Sequence, residues 1–279
     1  AQNGVRLQDR IGTSDTIVVN LPLSAVESPA QSGNVNFMSP DRQMNFFGHV
    51  ENTLGLTGMR SQPASGTRSA YTLDGTGIGI AVLDSGLLAT HRDFKNASGT
   101  SRIVYSKNFV TTESNADDEY GHGTHVAGIA AGNATVNGGA YKGVAPNANI
   151  INLKVLDGLG RGQTSWLLNA LDWIKLNHQT YNIRVVNLSL GGPAIDTYTN
   201  DPACRKVREL SELGIMVVAA AGNEGKSPNG TKLYGHIHSP GNDPSVLTVG
   251  AVNTKDTDSR ADDAMATFSS RGPSRGSYV

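Results

Sequence analysis

Five short, almost unbroken apolar runs, separated by segments of helical spacing, constrain this chain more than any other feature of its 279 residues. They are Ile78–Asp84, Asn149–Leu156, Arg184–Leu190, Ile215–Ala221 and Ser245–Ala251. A strand with one face in water alternates apolar and polar residues; a run that is apolar at nearly every position has both faces covered. The helix candidates between them are His122–Ala131, Thr164–Asn177 and Asp201–Leu213. In the second, Trp166, Leu167, Ala170, Leu171, Trp173 and Ile174 recur at helical spacing and read as core anchors. Strands alternating with helices predict an α/β fold with a doubly wound, mainly parallel sheet. In such a sheet, chemistry collects at the carboxyl ends of the strands.

Residues 1 to about 70 have a different texture. They hold one strand-like run (Thr16–Asn20), a second (Val35–Met38) stopped by Ser39-Pro40-Asp41, and a small, polar stretch, Met59–Gly66, that reads as a linker. The expected organisation is therefore a segment 1–42, a junction 43–70 and a main domain 71–279. The 23 Lys and Arg against 24 Asp and Glu leave a formal charge of −1, so no broad field exists to grip nucleic acid or an anionic membrane. No apolar run approaches the ~18 residues of a membrane-spanning helix, and no basic-then-apolar leader is visible in the residues from Ala1 on. The lone cysteine, Cys204, excludes an intrachain disulfide framework and reads as a semi-buried helix thiol.

Three segments at strand ends or helix starts hold unusual residues. The run Ile80–Leu83 ends in Asp84-Ser85-Gly86, which sets a carboxylate at the sheet's carboxyl edge; alone, this reads first as a turn aspartate or helix cap. In Gly121–Ile129, His122 opens a helix of very small residues that another backbone can approach closely. His122 and His125 together lack the partners of a metal site. In Val217–Gly225, a strand of small residues ends in Asn223 framed by glycines, where an amide can donate into a developing oxyanion. An aspartate, a histidine and an amide donor in one α/β sheet are the parts of acyl-transfer catalysis. The glycines Gly75, Gly77 and Gly79 precede the first strand, whereas a dinucleotide loop must follow it, so that function is excluded.

These segments resemble the subtilisin-like serine proteases, or subtilases, of the peptidase S8 family. The resemblance rests on the Asp84–Gly86 box, His122–Gly128, Gly143–Pro146, Val185–Gly192, Ala219–Gly225, Val246–Val252 and Phe268–Pro273, in order from about Leu73 to Pro273. It implies that Asp84 orients His122, that His122 is general base and then acid, and that Asn223 supplies the side-chain donor of the oxyanion hole. His125 is a packing histidine by the same resemblance. Substrate is implied to bind as an extended strand between Gly160-Arg161-Gly162 and Ser189-Leu190-Gly191, with Ala220 and Gly222 flooring the primary pocket. Small pocket walls then favour large apolar side chains at the scissile position, and Arg161 is expected to alter preference further along the substrate.

The family's catalytic serine lies in a Gly-Thr-Ser-Met-Ala box after the segment matched by Phe268–Pro273, and Ser274–Val279 do not form it. Neither Gly99-Thr100-Ser101, which precedes His122 and continues as a strand pattern, nor Ser277 replaces it. The expectation is a C-terminally truncated subtilisin-like domain that is inactive as written, preceded by the closing part of a propeptide that acts as intramolecular inhibitor, with processing between Asp41 and Tyr71. The resemblance further implies a secreted, monomeric endopeptidase acting on proteins or peptides, with no nucleic-acid or membrane partner and no cofactor. Structural calcium is common in the family and Asp93 matches one ligand position, but residues 132–142 lack the usual ligand set, so no metal site is assigned. The sequon Asn187-Leu188-Ser189 falls in a core strand and is not expected to carry a glycan. The alternative is an inactive subtilase-like module that binds peptides.

Overall fold

The computed structural model describes residues 5–10, 16–31, 33–36, 38, 50–136 and 138–274. The chain divides into two compact units, Ala1–Phe46 and Phe47–Val279. In the smaller, β1 (Arg6–Arg10) pairs antiparallel with β2 (Ile17–Asn20), and α1 (Glu27–Gln31) follows. The run expected at Thr16–Asn20 is thus β2. Val35, Asn36 and Met38 are not in a strand, and Phe37 and Ser39–Arg42 lie outside the described residues.

The larger unit begins with α2 (Val50–Thr53), α3 (Leu56–Arg60), β3 (Ser61–Gln62) and β4 (Tyr71–Thr72). This corrects the linker expected across 43–70. Leu56 and Thr53 are buried, Arg60 pairs with Glu51 and donates to the Gly143 and Val144 carbonyls, and Arg260 donates to the Thr53 carbonyl. The composition of Met59–Gly66 is that of a loop, but packing of the residues just before it fixes their conformation.

A six-stranded sheet follows, built from β5 (Gly79–Asp84), β6 (Ile103–Asn108), β7 (Asn149–Lys154), β8 (Ile183–Leu188), β9 (Met216–Ala220) and β10 (Leu247–Val249). All pairings are parallel, in the order β10-β9-β8-β5-β7-β6. The five expected runs are five of these strands. The sixth, β6, is an edge strand whose alternating, half-exposed residues do not form an apolar run. Helices α4 (His122–Ala131), α5 (Thr164–Asn177) and α6 (Pro202–Glu212) lie where the spacing predicts them, α6 capped by Asp201, which accepts from the Ala203 and Cys204 N–H groups.

Alternation along β5 divides the core. Ala81 and Leu83 join α5 and α6 in one cluster, with Leu171, Ile174, Val207 and Leu210. Ile80 and Val82 join α4 in the other, with Ala127, Ala131 and Phe94. The chain reaches β7 on one side of β5 and β8 on the other, so the order of strands reverses at β5, where a doubly wound sheet opens a crevice beyond its carboxyl ends.

Candidate active site

Asp84 is the last residue of β5 and has the parity of Ile80 and Val82, so it belongs to the face that α4 covers. The sequence permits α4 to come close because its second residue is Gly123. A Cβ there would collide with the Gly86 carbonyl oxygen and stand 3.1 Å from the Asp84 Cβ. Gly86 itself has φ +108° and leaves no room for a side chain against Ala116 and Asp117. The result sets His122 Nδ1 2.7 Å from Asp84 Oδ1. Asp84 is 1% exposed and His122 39%, so the imidazole has a supported inner edge and an open outer one. Burial pushes the Asp84 carboxyl above its ordinary value, while the hydrogen bonds from His122 and the Ser85 N–H pull it back.

A second carboxylate, not singled out in the sequence, organises the same corner. Asp118 Oδ2 accepts from the Thr124 N–H (2.8 Å) and hydroxyl (2.6 Å), and its Oδ1 accepts from the Gly121 N–H (2.8 Å) and Ser85 hydroxyl (2.7 Å). Ser85 Oγ in turn accepts from the Gly123 N–H at 2.9 Å. Asp118 thus ties the first turn of α4 to the end of β5, where a negative charge also suits the helix dipole. Burial raises its carboxyl, but these hydrogen bonds outweigh that and hold it below the usual carboxylate value. The legible signal was an acid just ahead of a helix start. Lys154, in register with Asp84, is fully buried and donates to the Ser85 (2.7 Å) and Asp117 (2.8 Å) carbonyls, with Glu113 at 3.0 Å. The sequence signal that could have found it is a lysine closing a strand that is otherwise uncharged.

Asn223 follows β9, whose carboxyl end lies at the same sheet edge as that of β5 with β8 between them, two strand spacings or about 10 Å away. It is exposed, and among the described residues its amide has no hydrogen-bond partner. Its backbone is nonetheless strapped by the Phe268–Gly272 segment: Ser270 N–H donates to the Gly222 carbonyl, Ser270 Oγ accepts from the Glu224 N–H, and Gly225 N–H donates to the Phe268 carbonyl. Ala220 ends β9, and Gly222 has φ +106°.

The predicted substrate segments lie in turns beyond strand ends. A turn from Asp157 to Arg161 is closed by backbone bonds in both directions, and Gly162 bridges to Leu156. The Tyr120 ring covers Gly160 closely enough to exclude a Cβ there and lies 6.4 Å from the His122 ring, so this tyrosine joins His122 to the predicted edge. Arg161 is 71% exposed, with its guanidinium 3.2 Å from Asp157 Oδ2. Ser189, Leu190 and Gly191 continue from β8, and Ser189 Oγ accepts from Asn187 Nδ2.

Residues 75–277 match the model of the subtilase family. The chain belongs to the subtilase family. It is 37% identical over 211 residues to serine protease AprX of Bacillus subtilis strain 168, an alignment covering 74% of this chain and 45% of that protein. Subtilisin E of the same strain is 39% identical over 199 residues, covering 71% and 45%. Among solved structures, S41 psychrophilic protease matches with a TM-score of 0.58 at 31% identity, covering 72% of this chain and 61% of that one. Sphericase matches at 0.57 and 30%, covering 71% and 60%. The chain spans about half the length of the curated relatives it matches.

Gly99-Thr100-Ser101 is a turn closed by the Asn96 N–H to Thr100 carbonyl bond, remote from any helix start. Cys204 is fully buried on α6, and desolvation pushes its thiol up to about 12, so it is no nucleophile. His125 is exposed rather than packed. Asn187 lies in β8, as expected of a sequon in a core strand. Asp93 Oδ1 accepts the Val136 N–H, and no three or more His, Cys, Asp or Glu are grouped to hold a metal among the described residues. Ser277 lies outside the described residues.

Proposed function

We propose that this subtilase performs serine-type endopeptidase chemistry through Asp84 and His122, on a serine that the 279 residues do not include. The observation that carries the reading is the 2.7 Å contact between His122 Nδ1 and the buried Asp84 carboxylate. Nδ1–H donating to the carboxylate fixes the tautomer in which Nε2 is free to accept a proton. The imidazolium formed when the serine hydroxyl attacks is stabilised by the Asp84 charge, and the same proton is returned to the leaving amine. Asn223, whose amide is not engaged elsewhere, donates to the developing oxyanion. Extended peptides lie between Gly160–Gly162 and Ser189–Gly191, and Arg161, paired with Asp157, biases the substrate position it faces. The chemistry needs no cofactor.

The further parts of the reading are proposed on the family alone: secretion, a monomeric state, and a propeptide in residues 1–42 that inhibits the cleft. Processing falls ahead of Val50, because Thr53 and Leu56 are buried in the larger unit. The second reading is an inactive peptide-binding module. One assay separates the two: hydrolysis of fluorogenic peptides by the gene product that contains this sequence. Fluorophosphonate-sensitive turnover that falls at least about 10³-fold in His122→Ala supports the peptidase. Peptide binding without turnover supports the module.

A further inference from the structure

Between the substrate edge expected at Ser189–Gly191 and the pocket floor expected at Ala220–Gly222 stands a residue that neither contains. Ser189–Gly191 and Ala220–Gly222 leave the sheet side by side from β8 and β9. The imidazole of His238 occupies the space between them. A Cβ on Gly222 would stand 2.9 Å from its Cγ and 3.0 Å from its Cδ2; one on Gly191 would stand 3.0 Å from its Cβ and 3.6 Å from its Nδ1. Both glycines therefore turn their side-chain-free faces toward this ring.

The ring is held in place from both sides. The His238 N–H donates to the Ala221 carbonyl at 3.0 Å, and Ser239 and Gly192 exchange backbone hydrogen bonds at 2.9 and 3.0 Å. The side chain is 16% exposed. Its Nε2 is buried with no hydrogen-bond partner; Glu224 Oε1 stands 3.5 Å away, and the other oxygen of that carboxylate faces His236 Nδ1 at 3.1 Å. With Nε2 turned to the Glu224 carboxylate, Nδ1 is the ring nitrogen on the Gly191 side.

We propose that His238 is the specificity-determining residue of the primary pocket, which it makes shallow and hydrogen-bonding, so that peptides with a short polar side chain before the scissile bond are selected over those with a large aromatic one. This reverses the preference expected from small pocket walls, and it rests on the peptidase reading above. An aromatic side chain would compete with the imidazole for one volume and leave Nδ1 unpaired. A short amide or hydroxyl needs less of that volume and can pair with that nitrogen.

The test uses the gene product that contains this sequence and two fluorogenic peptides that differ only in Asn or Phe before the scissile bond. The parent protein is expected to favour Asn at least about fivefold in kcat/KM, and His238→Ala to shift the ratio toward Phe at least about tenfold. His238→Gln, which keeps a polar group of similar reach, should retain the preference for Asn. A parent that favours Phe overturns the proposal, and so does a folded His238→Ala variant with an unchanged ratio. If His238→Ala does not fold, the parent's ratio and that of His238→Gln decide. No hydrolysis of either peptide overturns the peptidase reading and this inference together, whereas hydrolysis with the wrong ratio overturns this inference alone.

Discussion

At the end of β5, Asp84 accepts from His122 and from the N–H and hydroxyl of Ser85, inside a network that also immobilises Asp118 and Thr124. At the end of β9, two strands along the same edge, the Asn223 amide accepts and donates nothing among the described residues, although its flanking backbone is strapped by Phe268–Gly272. On the proposed peptidase reading, the contrast follows from what each group has to do. A general base works only in one tautomer and one orientation, so its partner must be engaged before substrate arrives. An oxyanion donor has value only if its hydrogen bond is unspent until charge develops, so rigidity belongs in its backbone and freedom in its amide.

The contrast breaks most visibly at Gly123. Gly123→Ala drives a Cβ into the Gly86 carbonyl, a backbone atom that cannot swing aside, and denaturant unfolding should show a loss of about 3 kcal/mol or more. A loss below about 1 kcal/mol would mean that the close approach of α4 to β5 is not required. Asp118→Ala comes next, at about 2 kcal/mol near neutral pH, because it strips charged hydrogen bonds from the first turn of α4.

The two carboxylates should also respond to acid with opposite signs. Asp118 is held below the free value of 3.8 when folded, so its contribution is present above that pH and lost as pH falls through the lowered folded value. The deficit of Asp118→Asn should therefore shrink in acid. Asp84 is raised above 3.8, so the native state holds the proton more tightly than the unfolded chain, and stability from this group declines as pH rises through the raised value. The melting temperature of Asp84→Asn relative to the parent should climb over that interval; a flat difference would show that the charge of Asp84 is not costly to bury. The smallest effect is expected at Asn223→Ala, within about 0.5 kcal/mol of the parent, since no bond is lost. If the peptidase reading holds, the same change in the gene product that contains this sequence should lower kcat by about 10²–10³, the range known for such a donor in a subtilisin. A clear loss of stability in Asn223→Ala would show that the amide is tied down after all.

Much of this arrangement was legible in the chain. The apolar runs marked five of the six sheet strands because burial on both faces leaves a local signature, and the small residues of Gly121–Gly128 announced a helix that must approach another backbone. Asp118 and His238 were not legible as parts of the site. Asp118 matters because a turn folds it back over Gly121 and Thr124, and His238 because two strands that are distant in sequence diverge on either side of it. The helices at Val50–Arg60 were missed for a related reason: their burial depends on Arg60 reaching Gly143 and on Thr53 meeting the Thr257–Arg260 loop, contacts between residues more than 80 positions apart.

By itself the sequence determined the alternation of strands and helices, the parity that puts Asp84 on the α4 face, and the glycines without which His122 could not come near it, since each depends on the size and spacing of neighbouring residues. Only the tertiary structure decided which groups stand around that pair and which side chain occupies the space between the segments that follow β8 and β9. Those are long-range juxtapositions, set by how the sheet orders its strands, and no local pattern of residues encodes them.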